Sequence, residues 1–434
     1  MVKKIILLAL VAMESFISDL YAQTQFFIQA QLRPRFEYRN GYGRMPTIDD
    51  KPAYFISQRS RLYIHYKSSQ FKYLIALQDV RVWGDATIYK STGVYGSEAS
   101  MDLYQANLEW LLNKKSSIQL GRQVLAYDDE HLLGSRNWNQ HGIAYDALIF
   151  KTRVEDWDTH VGLSLNNNRE NKYGNIYEQD KMKTLNYIHL QKSLKNNGHF
   201  SLLAIGSGYT ASDSSEVIYM RGTLGGYLIV KQYPFDYSFS GYYQFGRNEY
   251  GVLVRAYLWT AAIKWHYKCF FTGFGIDYLS GNGENSHDTK DRQFSLLYGA
   301  RHRFYGLMDY FSDVAEATHS RGLNDIWLQT CYKTKSNFSF GADFHYFTLQ
   351  DNKLPLGEFL GTELDLIFSH QFAPDLKLTG GFSLFKSSDY FQSMQMGIIS
   401  GRTPCWAWVM LDFSSVLFKS DKNKFSLNDI NEGE

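Results

Sequence analysis

The sequence predicts an all-β fold: a transmembrane antiparallel β-barrel of about 18 strands, with 16 the nearest alternative, joined by short periplasmic turns and long extracellular loops. Three observations predict it. The N-terminus reads as an export signal, and no later segment can cross a bilayer as a helix. Many short segments alternate strictly between apolar and polar residues. The turn signals between those segments come in two sizes.

Lys3 and Lys4 form a short basic region, and Ile5 to Met13 form an apolar run of signal-core length. Ala22 would end a signal peptide over residues 1–22. Beyond it, no window holds the roughly 18 apolar residues that a membrane helix requires. A closed barrel is the other structure that satisfies its backbone inside hydrocarbon.

Alternation begins at once. From Ile28 to Arg39 the even positions carry Ile28, Ala30, Leu32, Pro34, Phe36 and Tyr38. The odd positions carry Gln29, Gln31, Arg33, Arg35, Glu37 and Arg39. Successive strand side chains point to opposite faces, so the arginines share one face. On the lipid side each would cost about 2–4 kcal/mol at midplane, which assigns them to a wet lumen. Pro34 predicts a bulge or strand end nearby. Ser57 to Lys67 repeats the pattern, with Arg59, Arg61, His65 and Lys67 opposite Leu62, Ile64 and Tyr66. Leu103 to Trp110 does so with Gln105, Asn107 and Glu109, and a phase slip near Gln78 and Asp79 predicts a bulge.

Similar runs follow at Tyr237–Phe245, Tyr257–Tyr267, Phe270–Tyr278, Phe338–Phe347, Glu363–Phe372, Leu376–Phe385 and Cys405–Phe418. Short turn signals lie at Asn113–Ser116, Lys195–Gly198 and Ala373–Asp375. Long ones lie at Gly41–Pro52, Lys90–Ser100, Asn166–Lys183 and Ser280–Arg292. With ~9–11 residues per strand and a similar connection, the chain after the signal accommodates about 18 strands. No composition break divides it, so residues 23–418 read as one barrel and 419–434 as a polar C-terminal tail.

The net charge of +1 offers no global field for nucleic acid. Cys269, Cys331 and Cys405 are too few and too scattered for a disulfide framework or a metal pattern. No glycine-rich phosphate loop or nucleophile motif is present, so no cofactor is expected. His131, His141, His302 and His345 lack ligand spacing and read as loop or wall residues. Paired catalytic carboxylates find no support in the spacing of Asp79, Asp146 and Asp365.

Arg33, Arg35, Arg39, Arg59 and Arg61 make the main functional signal, with Arg81, Arg122, Arg136 and Arg153 as candidates to join them. Guanidinium matches carboxylate bidentately, so a ring of such groups would favour an acidic sugar chain. The plainer reading pairs them with Glu37, Asp79, Glu109 and Asp146 as a solvated wall. Trp83, Trp110, Trp138, Trp259, Trp265, Trp327, Trp406 and Trp408 read as girdle and packing residues. The loop Ser280–Arg292, with Glu284, Asp288 and Asp291, reads as a solvated external loop.

Four groups of residues resemble the alginate-export family of outer-membrane barrels. They are Gln78–Gly84; Leu120–Gln123 with Leu132–Gly134, Trp138 and Tyr145–Ala147; Asp277–Gly281 with Tyr298–Tyr310; and Gly361–Leu366. The resemblance implies an 18-stranded barrel in the outer membrane of a Gram-negative cell, with a basic lumen that passes a polyuronate. It implies a non-enzymatic channel whose partners are the lipid bilayer, an anionic polysaccharide or oligosaccharide, and a periplasmic export partner. A general porin and an outer-membrane barrel enzyme are the alternatives. The tail after Phe418 departs from the terminal aromatic common in such barrels.

Overall fold

The computed structural model describes residues 24–84, 101–175, 177–179, 181–213, 215–283, 289–350, 357–397 and 401–420. The expected signal segment, the loop expected at Lys90–Ser100, Glu284, Asp288 and the tail after residue 420 lie outside the described residues.

Eighteen antiparallel strands form one sheet. In chain order they are β1 (Gln25–Asn40), β2 (Ala53–Lys67), β3 (Phe71–Val82), β4 (Met101–Leu111), β5 (Ser116–Gln123), β6 (Tyr145–Val154), β7 (Trp157–Leu165), β8 (Met182–Ser193) and β9 (His199–Thr210). They continue as β10 (Ile218–Gln232), β11 (Phe235–Gly246), β12 (Ala256–Tyr267), β13 (Phe270–Leu279), β14 (Leu323–Lys333), β15 (Phe338–Leu349), β16 (Phe359–Ala373), β17 (Leu376–Ser387) and β18 (Cys405–Lys419). β18 returns to β1, with Phe36 opposite Val409 and Arg39 opposite Trp406. Hydrocarbon offers no partner to a free N–H or C=O, and this closure leaves no strand edge unpaired.

Connections such as 68–70, 155–156, 233–234 and 374–375 lie at one rim. The connections 41–52, 124–144, 166–181 and 280–322 lie at the other. Alternation sets which side chains face where. Gln31, Arg33, Arg35, Arg59, Arg61 and Tyr63 are buried inward, while Leu32, Phe36, Leu62 and Tyr66 are exposed on the outer wall. Near the short-turn rim, Phe71 stacks with Trp110 at 6.4 Å and Trp265 with Tyr267 at 5.7 Å. Amphipathic rings of this kind collect at a membrane interface.

The phase slip expected near Gln78 and Asp79 falls between Ala76 and Leu77, opposite β4. There Tyr104 and Gln105 both turn inward, so the extra residue belongs to β4. β1 runs through Pro34 without ending. The β18 ladder lapses at Arg33 and Pro34, and its register shifts between Ile28 and Gln29.

A barrel of this strand number leaves a wide interior. Here two long connections fill its upper half. Leu125, Leu132, Leu133, Phe294, Leu296, Leu297, Met308 and Phe311 pack with inward wall residues including Tyr187, Leu203, Phe347, Phe385 and Trp406. The two loops also bond to each other. Tyr298 N donates to the Leu132 carbonyl at 3.0 Å, and Ala300 N to the Glu130 carbonyl at 2.9 Å. The apolar residues of the 280–322 connection from Phe294 onward are therefore core; within the solvated external loop expected over Ser280–Arg292, Thr289 and Arg292 are exposed while Ser280 and Gly281 are buried, which corrects that expectation at its start.

Leu224 is 56% exposed on the outer face of β10. Leu224→Arg should destabilise the barrel by about 2–4 kcal/mol, while Leu224→Ile should be near neutral. The unfolding midpoint of both variants in micelles or bilayers checks this, and equal midpoints would contradict the outward assignment.

Candidate functional site

Arg33 and Arg35 of β1 and Arg59 and Arg61 of β2 do not face open water. They grip one segment of the first inserted loop, residues 136–142, here called the strap. Arg33 Nη2 donates to the Trp138 and Asn139 carbonyls, each at 3.3 Å, and its Nε to Gln140 Oε1 at 3.2 Å. Arg35 Nη1 donates to the Trp138 carbonyl at 2.9 Å, and Arg59 Nη1 to the Asn137 carbonyl at 3.4 Å. Arg61 Nη2 donates to the His141 carbonyl at 3.1 Å, and its guanidinium lies 3.6 Å from the centre of the Tyr104 ring. Gly142 permits this approach. Its φ is +67°, and a Cβ there would stand 2.9 Å from Arg61 Nη2.

Trp138 is clamped on both faces. The Arg35 guanidinium sits 4.2 Å from its ring, and His302 of the second loop stacks at 4.4 Å. At its other end the first loop is fixed by Asp128, which accepts from His189 at 2.9 Å, Ser201 at 2.5 Å and Tyr242 at 3.3 Å. The loop thus crosses the lumen from the β1–β2 wall to the β8–β11 wall.

The second loop is held by the opposite polarity. Met308 N donates to Glu363 Oε1 at 2.7 Å, and Leu307 N to Asp365 Oδ2 at 3.3 Å. Gly306, at φ +82°, brings the backbone so close that a Cβ would lie 2.5 Å from the Glu363 carboxylate. A cationic wall reads carbonyls and an anionic wall reads amides, each bond being charge-assisted.

Among the described residues, cavities lie around the loops at three levels. An upper one of about 720 Å³ is lined by Tyr209, Arg221, Lys290, Asp291 and Arg301 among others. A central one of about 590 Å³ is lined by Arg136, Trp138, Arg301, His302, Arg303 and Trp408. A lower one of about 290 Å³ is lined by Asp129, His131, Lys264, Arg303 and Asp343. Arg301 and Ser312 belong to the walls of the first two, and Arg303 and Leu307 to the walls of the second and third. Arg303 is 60% exposed at its side chain, 3.2 Å from Glu130. Arg301 pairs with Asp313 at 3.4 Å, donates to the Leu297 carbonyl at 3.1 Å and leaves its buried Nε without a hydrogen-bond partner.

The other expected site residues separate into groups. Arg39 is inward near the long-loop rim, paired with Glu37 and stacked 4.2 Å from the Tyr42 ring. Arg136 belongs to the strap and donates to the Gly299 carbonyl at 2.9 Å. Glu109 is inward near the short-turn rim, bonded to Ser117 at 2.6 Å and Lys72 at 3.0 Å. Arg153 pairs with Asp158 at 3.2 Å near that rim. Four placements correct the sequence reading. Asp79 and Arg81 lie in register with Ser60 and Gln58, outward positions of β2, and pair with each other at 2.5 Å. Arg122 and Asp146 lie in register with each other and with Ala106, and pair at 2.9 Å on the outer face. β3 keeps the β2 register without a break, so Asp79 and Arg81 point outward because the slip read near them lies on β4; the β4 bulge flips only positions beyond it, Arg122 and Asp146 among them, and a sequence cannot show which strand carries the extra residue. Arg301 and Arg303 were not nominated from sequence. Their signal was the basic Arg301-His302-Arg303 group in the connection before β14.

A closed strand wall with an apolar exterior and a polar, loop-constricted interior defines an outer-membrane barrel of the porin class. The family description "Alginate export" matches residues 24–397, and the chain belongs to that family. Its fold is shared with *Acinetobacter baumannii* OccAB1 (TM-score 0.61, 11% identity, covering 91% of this chain and 97% of that one). It is shared likewise with *Pseudomonas aeruginosa* OpdL (TM-score 0.61, 10% identity, 91% and 99% covered). The *P. aeruginosa* OpdK structure with vanillate aligns at TM-score 0.58 and 7% identity, covering 90% and 98%. No curated protein sequence matches the chain.

His131, in the first loop outside the strands, places Nδ1 2.9 Å from Asp129 and Nε2 3.9 Å from Asp277. These are charge contacts rather than aligned hydrogen bonds, since both ring nitrogens lack a hydrogen-bond partner. Burial disfavours the imidazolium, but Asp129 and Asp277 outweigh it and push His131 up to about 9. A raised folded value means that the contribution is full below the ordinary value of about 6.5 and is lost as pH rises through the folded one. Single-channel current should therefore become noisier between pH 7 and pH 10 as the loop loosens. His131→Asn should show the noisy behaviour at both values, and noise independent of pH would remove this role.

Proposed function

We propose that the protein is a passive outer-membrane channel for anionic, polyuronate-like polysaccharide or acidic oligosaccharides. The observation that carries this reading is the succession of cavities past the inserted loops, with Arg221, Arg301, Arg136, Arg303 and Lys264 along their walls. Cationic side chains along a path lower the barrier for anions, and several weak contacts permit release where one tight site would not. Membership of the alginate export family supports the same cargo class. On this reading the guanidiniums of Arg301 and Arg303 meet the carboxylates first. The β1–β2 arginines stand behind the strap.

Planar-bilayer recording tests the proposal. The wild type should prefer anions, and its current should be blocked by polymannuronate but not by neutral dextrin. Arg301→Ala with Arg303→Ala should lower anion preference severalfold and weaken the block. Cation preference or equal block by dextrin would favour a general porin, and hydrolysis of lipid by the purified protein would favour an enzyme.

A further inference from the structure

We propose that the strap occupies a carboxylate-binding track with its own backbone carbonyls, and that an arriving acidic chain displaces it. The track is formed by Arg33, Arg59 and Arg61. This rests on the acidic-chain reading above and adds how the route widens.

The first ground is charge. Arg33 and Arg61 are each 3% exposed. Around Arg33 the acceptors are Gln140, Asn137 and the carbonyls of Trp138 and Asn139. Around Arg61 they are Gln78, Tyr63 and the His141 carbonyl. None of these is a carboxylate, although a buried charge is ordinarily balanced by an opposite one; the Asp412 carboxylate acts on Arg33 only through space and is hydrogen-bonded to Gln31. Residues 136–142 contain no Asp or Glu that could supply it. In addition Arg33 lies directly opposite Arg59 in the β1–β2 register, an arrangement that costs free energy between like charges.

Competition follows from that imbalance. A carboxylate accepts a guanidinium fork bidentately and brings the missing charge, whereas each carbonyl offers a neutral oxygen. Arg33 and Arg61 recur on neighbouring strands, about 4.8 Å apart across the sheet and about 6.8 Å per pair of residues along it. Successive carboxylates of one chain can therefore bind in turn. The strap meanwhile holds strain that its release would relieve, because Arg136 sits at φ +49°.

Geometry sets the direction of movement. Asn137, Trp138 and Asn139 line the central cavity on one side and cover the arginines on the other. Their departure joins that cavity to the track as one wider basic passage. The anchor at Asp128 stays bonded to β8, β9 and β11, so the segment swings rather than leaves. The clamp on Trp138 is the closing force. Small ions use the cavities with the strap in place, and only the polymer requires its displacement.

Gln140 Nε2 lies 3.0 Å from Ser57 Oγ, so thiols placed at the two positions fall within reach of a short, reducible bis-methanethiosulfonate linker across the strap and β2. Ser57→Cys with Gln140→Cys, made with Cys269, Cys331 and Cys405 replaced by Ser, should keep small-ion conductance when cross-linked. It should lose polymannuronate passage across proteoliposomes by at least about tenfold, the equivalent of roughly 1.4 kcal/mol, and regain it on reduction. A second variant, Gln140→Cys alone, should react faster with a water-soluble maleimide when polymannuronate is added, and not with dextrin. Undiminished passage through the cross-linked protein, or a labelling rate indifferent to polymannuronate, overturns the strap proposal. If wild-type current is still blocked by polymannuronate, the channel assignment survives that result; if the block is also absent, both fail.

Discussion

Everything in this molecule follows from the requirement that no backbone amide or carbonyl be left unpaired in hydrocarbon. The requirement closes β18 onto β1. Closure in turn fixes alternation, because each strand then has one face against lipid and one against the interior. It also fixes the interior as a wide space that must be hydrated or filled. Here it is filled in its upper half by two connections whose apolar side chains form the largest buried cluster of the described residues.

Inserted loops bring their own backbone polarity into a confined space, and that polarity needs partners. The wall supplies them in two signs. Arg33, Arg35, Arg59 and Arg61 donate to the carbonyls of the strap. Glu363 and Asp365 accept residues 307–308 by their amides. The charges that a conducting wall would display are in this way partly spent on holding the constriction. On the proposed reading, what remains for a passing anion is carried by the loops themselves, above all Arg301 and Arg303, each beside one loop carboxylate. The barrel provides the frame, and the connections provide the path.

This division explains which inferences from sequence reached the structure. The alternation in Ile28–Arg39 and Ser57–Lys67 places Arg33 and Arg61 inside because both strands are regular from end to end. Arg81 is misread because the slip read at Gln78 and Asp79 lies on β4, while β3 itself keeps the phase of β2, and Arg122 is misread beyond that slip. Side-chain direction has a period of two residues, so one inserted residue at Tyr104 reverses every assignment carried across it. The central cavity was less legible still. Trp138, His302 and Arg303 are remote in sequence and meet only because two loops pair inside the barrel.

The amino-acid order by itself determined the strand segments, the two kinds of connection, the apolar outer wall and the family, since each rests on local pattern or on motifs read along the chain. Tertiary structure alone decided that the arginine face is covered, that the long connections turn inward, and that the open cavities lie beside Arg301 and Arg303. The physical reason is that a loop's destination depends on the summed attraction of wall groups from many strands, which no local periodicity records.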